Sequence, residues 1–284
     1  MMHLRVADWI NLLAFSVYTA LALGWRNLDR ARRTKAAIIG TGGLTITAFA
    51  ALVLPHLVTP LAASVTRDWI PYLLLLMFYW QAGQFVTRAD VKFEARLESF
   101  DLRWVAPWLT WCARHPLGPW ILGYLEVAYL FCYASLPLGL ASLYLLRQGQ
   151  QAGHFWTVVL LATYPAYGML PFVQTRPPRA LGEKWSAGLP YNSIRAFNLG
   201  ILRHASIQAN TFPSGHVASS IGCALILLRF GPPWLGFLFL WTAISISLGA
   251  VAGRYHYAAD AIVAATVALA VFLTETAIAM SIAS

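Results

Sequence analysis

Residues 210–260, NTFPSGHVASSIGCALILLRFGPPWLGFLFLWTAISISLGAVAGRYHYAAD, decide the fold of this chain. Two apolar runs, approximately 213–230 and 234–252, are separated by Gly231-Pro232-Pro233, and a third begins near 256 and continues to about 280. None alternates polar with apolar positions as a barrel strand does. A backbone surrounded by hydrocarbon must satisfy its own N–H and C=O groups, which leaves helices. The polar residues collect at the ends of the runs: Ser214, Gly215 and His216 open one, while Arg254, His256 and Asp260 enter another. One crossing away and one crossing back return these two clusters to the same face.

Working outward, five further runs qualify, approximately 9–25, 36–58, 69–86, 119–146 and 154–173. Roughly 20 apolar residues cross about 30 Å of hydrocarbon. The expectation is therefore an all-α, multi-pass transmembrane helix bundle of about eight spans. The first run could pass for a signal peptide ending near Ala20-Leu21-Ala22, but the basic stretch from Arg26 to Lys35 reads better as a membrane flank. Composition agrees: 59% of the 284 residues are hydrophobic and 11% are charged, against about 25% charged in a soluble domain. That excludes an ordinary cytosolic enzyme, a disordered protein and a nucleic-acid-binding module. The net charge of +9 points to an anionic partner, which for so apolar a chain means lipid headgroups or phosphates. Cys112, Cys132 and Cys223 show no paired spacing, hence no disulfide framework or thiolate metal site. An integral protein of a bacterial-type cell membrane is the expected location.

Two polar segments interrupt the spans. In 93–118, Phe93, Leu97, Phe100, Trp104, Trp108 and Trp111 recur every three or four residues, with Glu94, Glu98, Asp101 and Arg103 between them. This is the pattern of an amphipathic helix lying at the membrane interface. The segment 174–212 carries Arg176, Arg179, Lys184, Arg195 and Arg203 against one acid, Glu183. The chain thus divides into N-terminal helices (1–92), the third of them also a candidate member of the core, the interfacial helix (93–118) and a C-terminal core (119–284).

Three short pieces carry chemistry: Thr175-Arg176-Pro177-Pro178-Arg179, Asn210 to His216, and Gly253 to Asp260. By counting crossings, all three meet at one end of the bundle. His256 and Asp260 lie one helical turn apart. A carboxylate there accepts a proton from one imidazole nitrogen, fixes the tautomer and leaves the other nitrogen as a nucleophile. Ser214 and Gly215 offer a hydroxyl and backbone N–H groups at a helix start, which suit a phosphate. His216 is placed to protonate a leaving oxygen. Arg176, Arg179, Lys184 and Arg254 are candidates for the fixed positive charge that phosphoryl transfer requires. No carboxylate cluster suggests Mg²⁺ and no closely spaced histidines suggest zinc.

These pieces resemble the three motifs of the type 2 phosphatidic acid phosphatase superfamily, over roughly residues 119–280. The middle motif matches at Pro213, Ser214, Gly215 and His216, and the third at His256 and Asp260. The resemblance implies a six-helix core and a metal-independent, cofactor-free reaction on a lipid phosphomonoester or pyrophosphate through a phosphohistidine. Two departures stand out. The Lys expected seven residues before Arg176 falls on Met169, and the usual Ser-Arg ahead of the nucleophile falls on Gly249 and Ala250. The roles of Arg179 and Arg254 therefore rest on charge. The Pro-Pro-Arg and Arg-Tyr-His-Tyr patterns are similar to the branch related to inositol phosphorylceramide synthases, which includes transferases. A lipid phosphotransferase using a polyol or lipid acceptor is thus the nearest alternative, and a non-catalytic lipid-binding or transport protein is a more distant one.

Glu126 lies about seven residues, some 10 Å, into the fourth span. Intramembrane carboxylates are costly and mark function by default; a role orienting one of the loop arginines is expected. Sixteen of the 20 Lys and Arg fall on the face that bears the motifs. The positive-inside rule places that face in the cytoplasm, whereas the resemblance implies an extracytoplasmic site.

Overall fold

The computed structural model describes residues 4–182 and 193–283. Helix α1 (Val6–Gly24) is followed by α2 (Arg30–Ala48), which continues through a π-helical turn (Phe49–Val53) into α3 (Leu54–Leu57). The chain then forms α4 (Pro60–Gly83), α5 (Val91–Trp104), α6 (Ala106–Arg114), α7 (Gly118–Leu145), α8 (Ala152–Gly168), α9 (Ser193–Ala205), α10 (Gly215–Phe230), α11 (Pro233–Ala252) and α12 (Ala258–Ala283). Among the described residues, extended pairing is confined to one isolated antiparallel bridge, Thr175 with Asn210. The protein is an all-helical, multi-pass membrane bundle.

Among the described residues, six stretches are long and apolar enough to cross a membrane: α1, Arg30–Leu57, α4, α7, α11 and α12. The other two expected spans became the shorter helices α8 and α10, of 17 and 16 residues. Their position explains the difference. Helix α10 packs against α7, α8, α11 and α12, and most of its side chains are buried. A helix sheathed by protein need not match the thickness of the hydrocarbon.

Helices α1, α2 and α4 form a second group that docks on α8, where Phe15, Phe78, Phe155 and Trp156 are almost fully enclosed. Contacts at the helix ends fix which termini share a face. Away from the motifs, Arg5 pairs with Asp68, Arg67 with Asp8, and Tyr144 donates to Asp68. These join the starts of α1 and α4 to the end of α7. On the opposite face, Tyr18 donates to the carbonyl of Gly168 and Arg32 to that of Val86. The parity of crossings read from the sequence is therefore the parity of the fold.

The interfacial segment differs from its expectation in two ways. It is two helices, broken at Val105 ahead of Pro107, whose ring supplies no N–H donor. Its charged side is not solvated: Glu94 and Asp101, with Leu97 between them, are buried, while Phe100, Trp104 and Trp111 are exposed. The aromatic side faces outward and two carboxylates face the protein.

Candidate active site

The three motif pieces are tied pairwise through their backbones. Asn210 N–H donates to the Thr175 carbonyl at 2.8 Å, joining the first piece to the second. Ser214 N–H donates to the Asp260 carbonyl at 3.1 Å, joining the second to the third. Arg179 N–H donates to the Arg254 carbonyl at 3.0 Å, and Tyr257 Oη to the Arg176 carbonyl at 3.1 Å, closing the triangle. Main-chain bonds hold the loop geometry whatever the neighbouring side chains do.

Inside this frame the two histidines face one another, with ring centroids 6.1 Å apart. His256 Nδ1 lies 3.3 Å from Asp260 Oδ2, and the same carboxylate oxygen accepts the Tyr257 N–H at 2.8 Å. Asp260 thus orients the imidazole by one nitrogen and leaves Nε2 for chemistry. Burial, together with the Arg179 charge, pushes the His256 imidazole down to about 3. That direction favours the neutral ring, the form in which an imidazole can act as a nucleophile. His216 sits on the first turn of α10 with Tyr129 and Tyr133 edge-on to its ring, at 5.9 and 5.6 Å.

At the helix start, Ser214 and Gly215 also have partners within the protein. Ser214 is fully buried and its hydroxyl caps α10 by accepting the Val217 N–H at 3.5 Å. The Gly215 N–H points to Thr211 Oγ1 at 3.4 Å. Both residues shape the turn that aims His216. Glycine is needed at 215 because a Cβ there would stand 2.5 Å from the Tyr167 ring. The departure at Gly249 has a similar cause: a Cβ would lie 2.4 Å from the Leu125 carbonyl oxygen. Helices α7 and α11 approach too closely for the serine that the resemblance expects there.

The arginines take three distinct places. Arg179 is the one whose charge bears on both imidazoles; its guanidinium donates to the Tyr255 carbonyl at 3.3 Å and lies 6.0 Å from the Tyr255 ring. Arg176 turns to the rim, half exposed, and clasps Glu94: Nη2 reaches Oε1 at 2.7 Å, while its own N–H donates to Oε2 at 2.8 Å. Arg254 is buried, with a left-handed φ of 63°, and its Nη1 lies 3.3 Å from Asp101 Oδ2. Lys184 lies outside the described residues.

Glu94 and Asp101 are the site residues that sequence analysis missed. They lie seven apart on one face of α5, so each grips a different motif. Asp101 holds Arg254 with one oxygen and accepts the Ala258 N–H at 3.0 Å with the other, two residues from Asp260. Burial pushes this carboxyl up to about 6, against the pull of Ala258 N–H and Arg254.

Glu126 meets the arginine it was expected to find. It accepts from Arg195 Nη1, from Asn198 Nδ2 at 2.7 Å and from the Tyr255 hydroxyl. Arg195, read from sequence only as loop charge, also donates to the Gly253 carbonyl at 3.3 Å. Tyr255 stacks on Tyr129 at 4.2 Å, so the network runs from Glu126 to the wall around His216. Tyr255 and Tyr257, of a residue type common in interfacial aromatic belts, are each only 1% exposed. Among the described residues, no group of three His, Cys, Asp or Glu is placed to hold a metal ion.

Residues 92–274 match the PAP2 superfamily. The match covers well over half of the chain, and the protein belongs to that superfamily, whose members are generally phosphatases or related phosphotransferases. It begins at α5, the helix that carries Glu94 and Asp101. No curated protein and no solved structure matches the chain.

Proposed function

We propose that the protein is a membrane lipid phosphatase acting on a phosphomonoester or pyrophosphate through a phosphohistidine. The observation that carries this reading is the facing pair His216 and His256, with His256 held by Asp260 and the Arg179 charge bearing on both. Nε2 of His256 attacks phosphorus as the bond to the leaving oxygen breaks. His216, which takes up a proton as the phosphate anion binds beside it, gives that oxygen the proton, then takes one back from the water that cleaves the P–N bond and releases phosphate. Arg179 balances the charge on the phosphoryl oxygens throughout. Arg176 guards the rim, and Arg254 anchors the turn carrying the nucleophile. Ser214 and Gly215 serve by placing the N-terminus of α10, with its partial positive charge, toward the same point.

The working unit in this reading runs from α5 to α12, so the interfacial helices belong with the core. Transfer to a polyol or lipid acceptor shares the first step and differs only in what cleaves the P–N bond. The test is phosphate release from phosphatidate, polyprenyl pyrophosphate and lysolipid phosphates, with and without added polyol. The expected result is release by the parent protein and an acid-labile phosphoprotein that His256→Ala lacks. Turnover preserved in His256→Ala overturns the mechanism. Phosphate appearing only on an added acceptor identifies the transferase.

A further inference from the structure

A cavity of about 290 Å³ opens from His216 between α4, α7 and α9. Its body is hydrocarbon: Leu75 and Leu76 on α4, Leu136 on α7, Ile201 and Leu202 on α9. Four of the polar groups around it are bonded within the protein. Tyr72 Oη donates to the Tyr133 carbonyl at 3.0 Å, and Tyr79 Oη accepts the Ile207 N–H at 3.0 Å. Trp80 Nε1 donates to the Ala205 carbonyl at 3.2 Å, and Ser219 Oγ to the His216 carbonyl at 3.1 Å. Such a wall offers its occupant more packing than hydrogen bonds, and it suits an apolar chain better than a polyol headgroup.

Its direction also matters. Tyr79 and Tyr72 both line it and lie seven residues apart on α4, so it descends about 10 Å along that helix, away from the site face. One end is catalytic and the other lies at hydrocarbon depth. Helix α4 lies outside the segment that matches the superfamily. The α4 side of the cavity is therefore supplied by a part of the chain outside that match.

We infer that this cavity holds a single hydrocarbon chain of the lipid phosphate substrate, with its phosphate at His216 and Arg179, and that α4 sets which chain is accepted. The inference rests on the phosphatase reading for the identity of the headgroup. The volume lies near the lower end of ligand pockets, about 300 Å³, which suits one chain rather than two side by side. Each buried methylene that fits contributes roughly a fourfold preference over a chain that lacks it in water.

The test uses the full-length protein in detergent. The kcat/KM for dodecyl phosphate is divided by that for phenyl phosphate, in the parent and in Leu76→Trp and Ile201→Trp, which fill the cavity from opposite walls. The expected result is a fall in that ratio of at least tenfold in both variants, with Leu76→Ala shifting preference toward bulkier farnesyl phosphate. An unchanged ratio in both tryptophan variants overturns the inference. A second measurement separates it from the reading beneath it. A dodecyl phosphonate carrying a diazirine at its chain end should label α4 between Tyr72 and Leu76, or α7 near Leu136. Label at those positions in a protein without phosphatase activity leaves the pocket standing and removes the enzyme. Label elsewhere in an active enzyme removes the pocket alone.

Discussion

Replacing Asp101 with asparagine separates holding the fold from holding the nucleophile. Asp101 is 1% exposed, 3.3 Å from the Arg254 guanidinium and 3.0 Å from the Ala258 N–H. Removing one partner of a buried ion pair costs about 3–5 kcal/mol. Burial, however, has already raised this carboxyl from 3.8 to about 6, a penalty on the charged form of about 3 kcal/mol at roughly 1.4 kcal/mol per unit. Asparagine escapes that penalty and keeps an oxygen for the Ala258 N–H. The two effects nearly cancel, so thermal unfolding in detergent should move by only a few degrees. Activity should not be spared. Arg254 and Ala258 bracket His256, and a shift of about 1 Å in a reacting group costs on the order of 100-fold. Phosphate release by Asp101→Asn should fall by about that factor in kcat, with little change in KM. The pH dependence supplies a second readout. As pH falls through about 6, Asp101 takes up a proton and its ion pair with Arg254 is lost, giving the parent an acid limb there that the variant lacks. The sign for stability is opposite. A pKa raised in the folded state means the folded chain holds the proton more tightly than the unfolded one, so this group's contribution falls as pH rises from about 4 to about 6. An asparagine variant with parental kcat and the same acid limb refutes the positioning role of α5.

Arg179→Lys should lower phosphate release by more than 100-fold and Arg176→Lys by less than tenfold, because only the first stands beside both histidines; the reverse order in initial rates would move the phosphate to the rim. Glu126→Gln should reduce turnover about tenfold by loosening Arg195 and Tyr255, and unchanged turnover shows that Glu126 serves packing alone. The face of the site can be read from Ser99→Cys, an exposed position on α5, with the three buried native cysteines replaced. The basic bias predicts that an impermeant maleimide reaches it only after permeabilisation. Labelling of intact cells would put the site outside, and the excess of arginine would then reflect phosphate rather than topology.

Much of this architecture was legible because hydrocarbon admits few structures. Apolar runs announced helices, and the parity of crossings brought the Arg176, His216 and His256 segments together before any coordinate was known. What escaped was polar pairing inside the protein. Glu94 and Asp101 sit between aromatic residues, which reads as a solvated face. Their spacing with Leu97, at intervals of three and four, was the available clue to one shared buried stripe. Arg179 could not be ranked above Arg176 from charge alone, because the Glu94 clasp that turns Arg176 to the rim comes from 82 residues upstream. Gly249 looked like a missing motif residue. It is a close helix crossing, visible only once Leu125 is seen against it. Tyr255 and Tyr257 carried the composition of an interfacial belt and became interior scaffolding, because the turn that bears them folds back toward Ala250, whose carbonyl accepts the N–H groups of Tyr255 and His256.

The shortness of α10 bears on how a lipid reaches this chemistry. Helices α10 and α11 share a tight turn at their far end, yet α11 has 20 residues and α10 only 16. At 1.5 Å per residue the deficit is about 6 Å, and it falls entirely at the end where His216 begins. The reaction centre is thus sunk below the rim of its neighbours rather than perched on it. On the proposed lipid phosphatase reading, a phosphate brought to such a well travels down to the site while its chain stays in oil. Each methylene that need not be drawn into water avoids about 0.8 kcal/mol, so such a substrate would be processed without being lifted out of its bilayer.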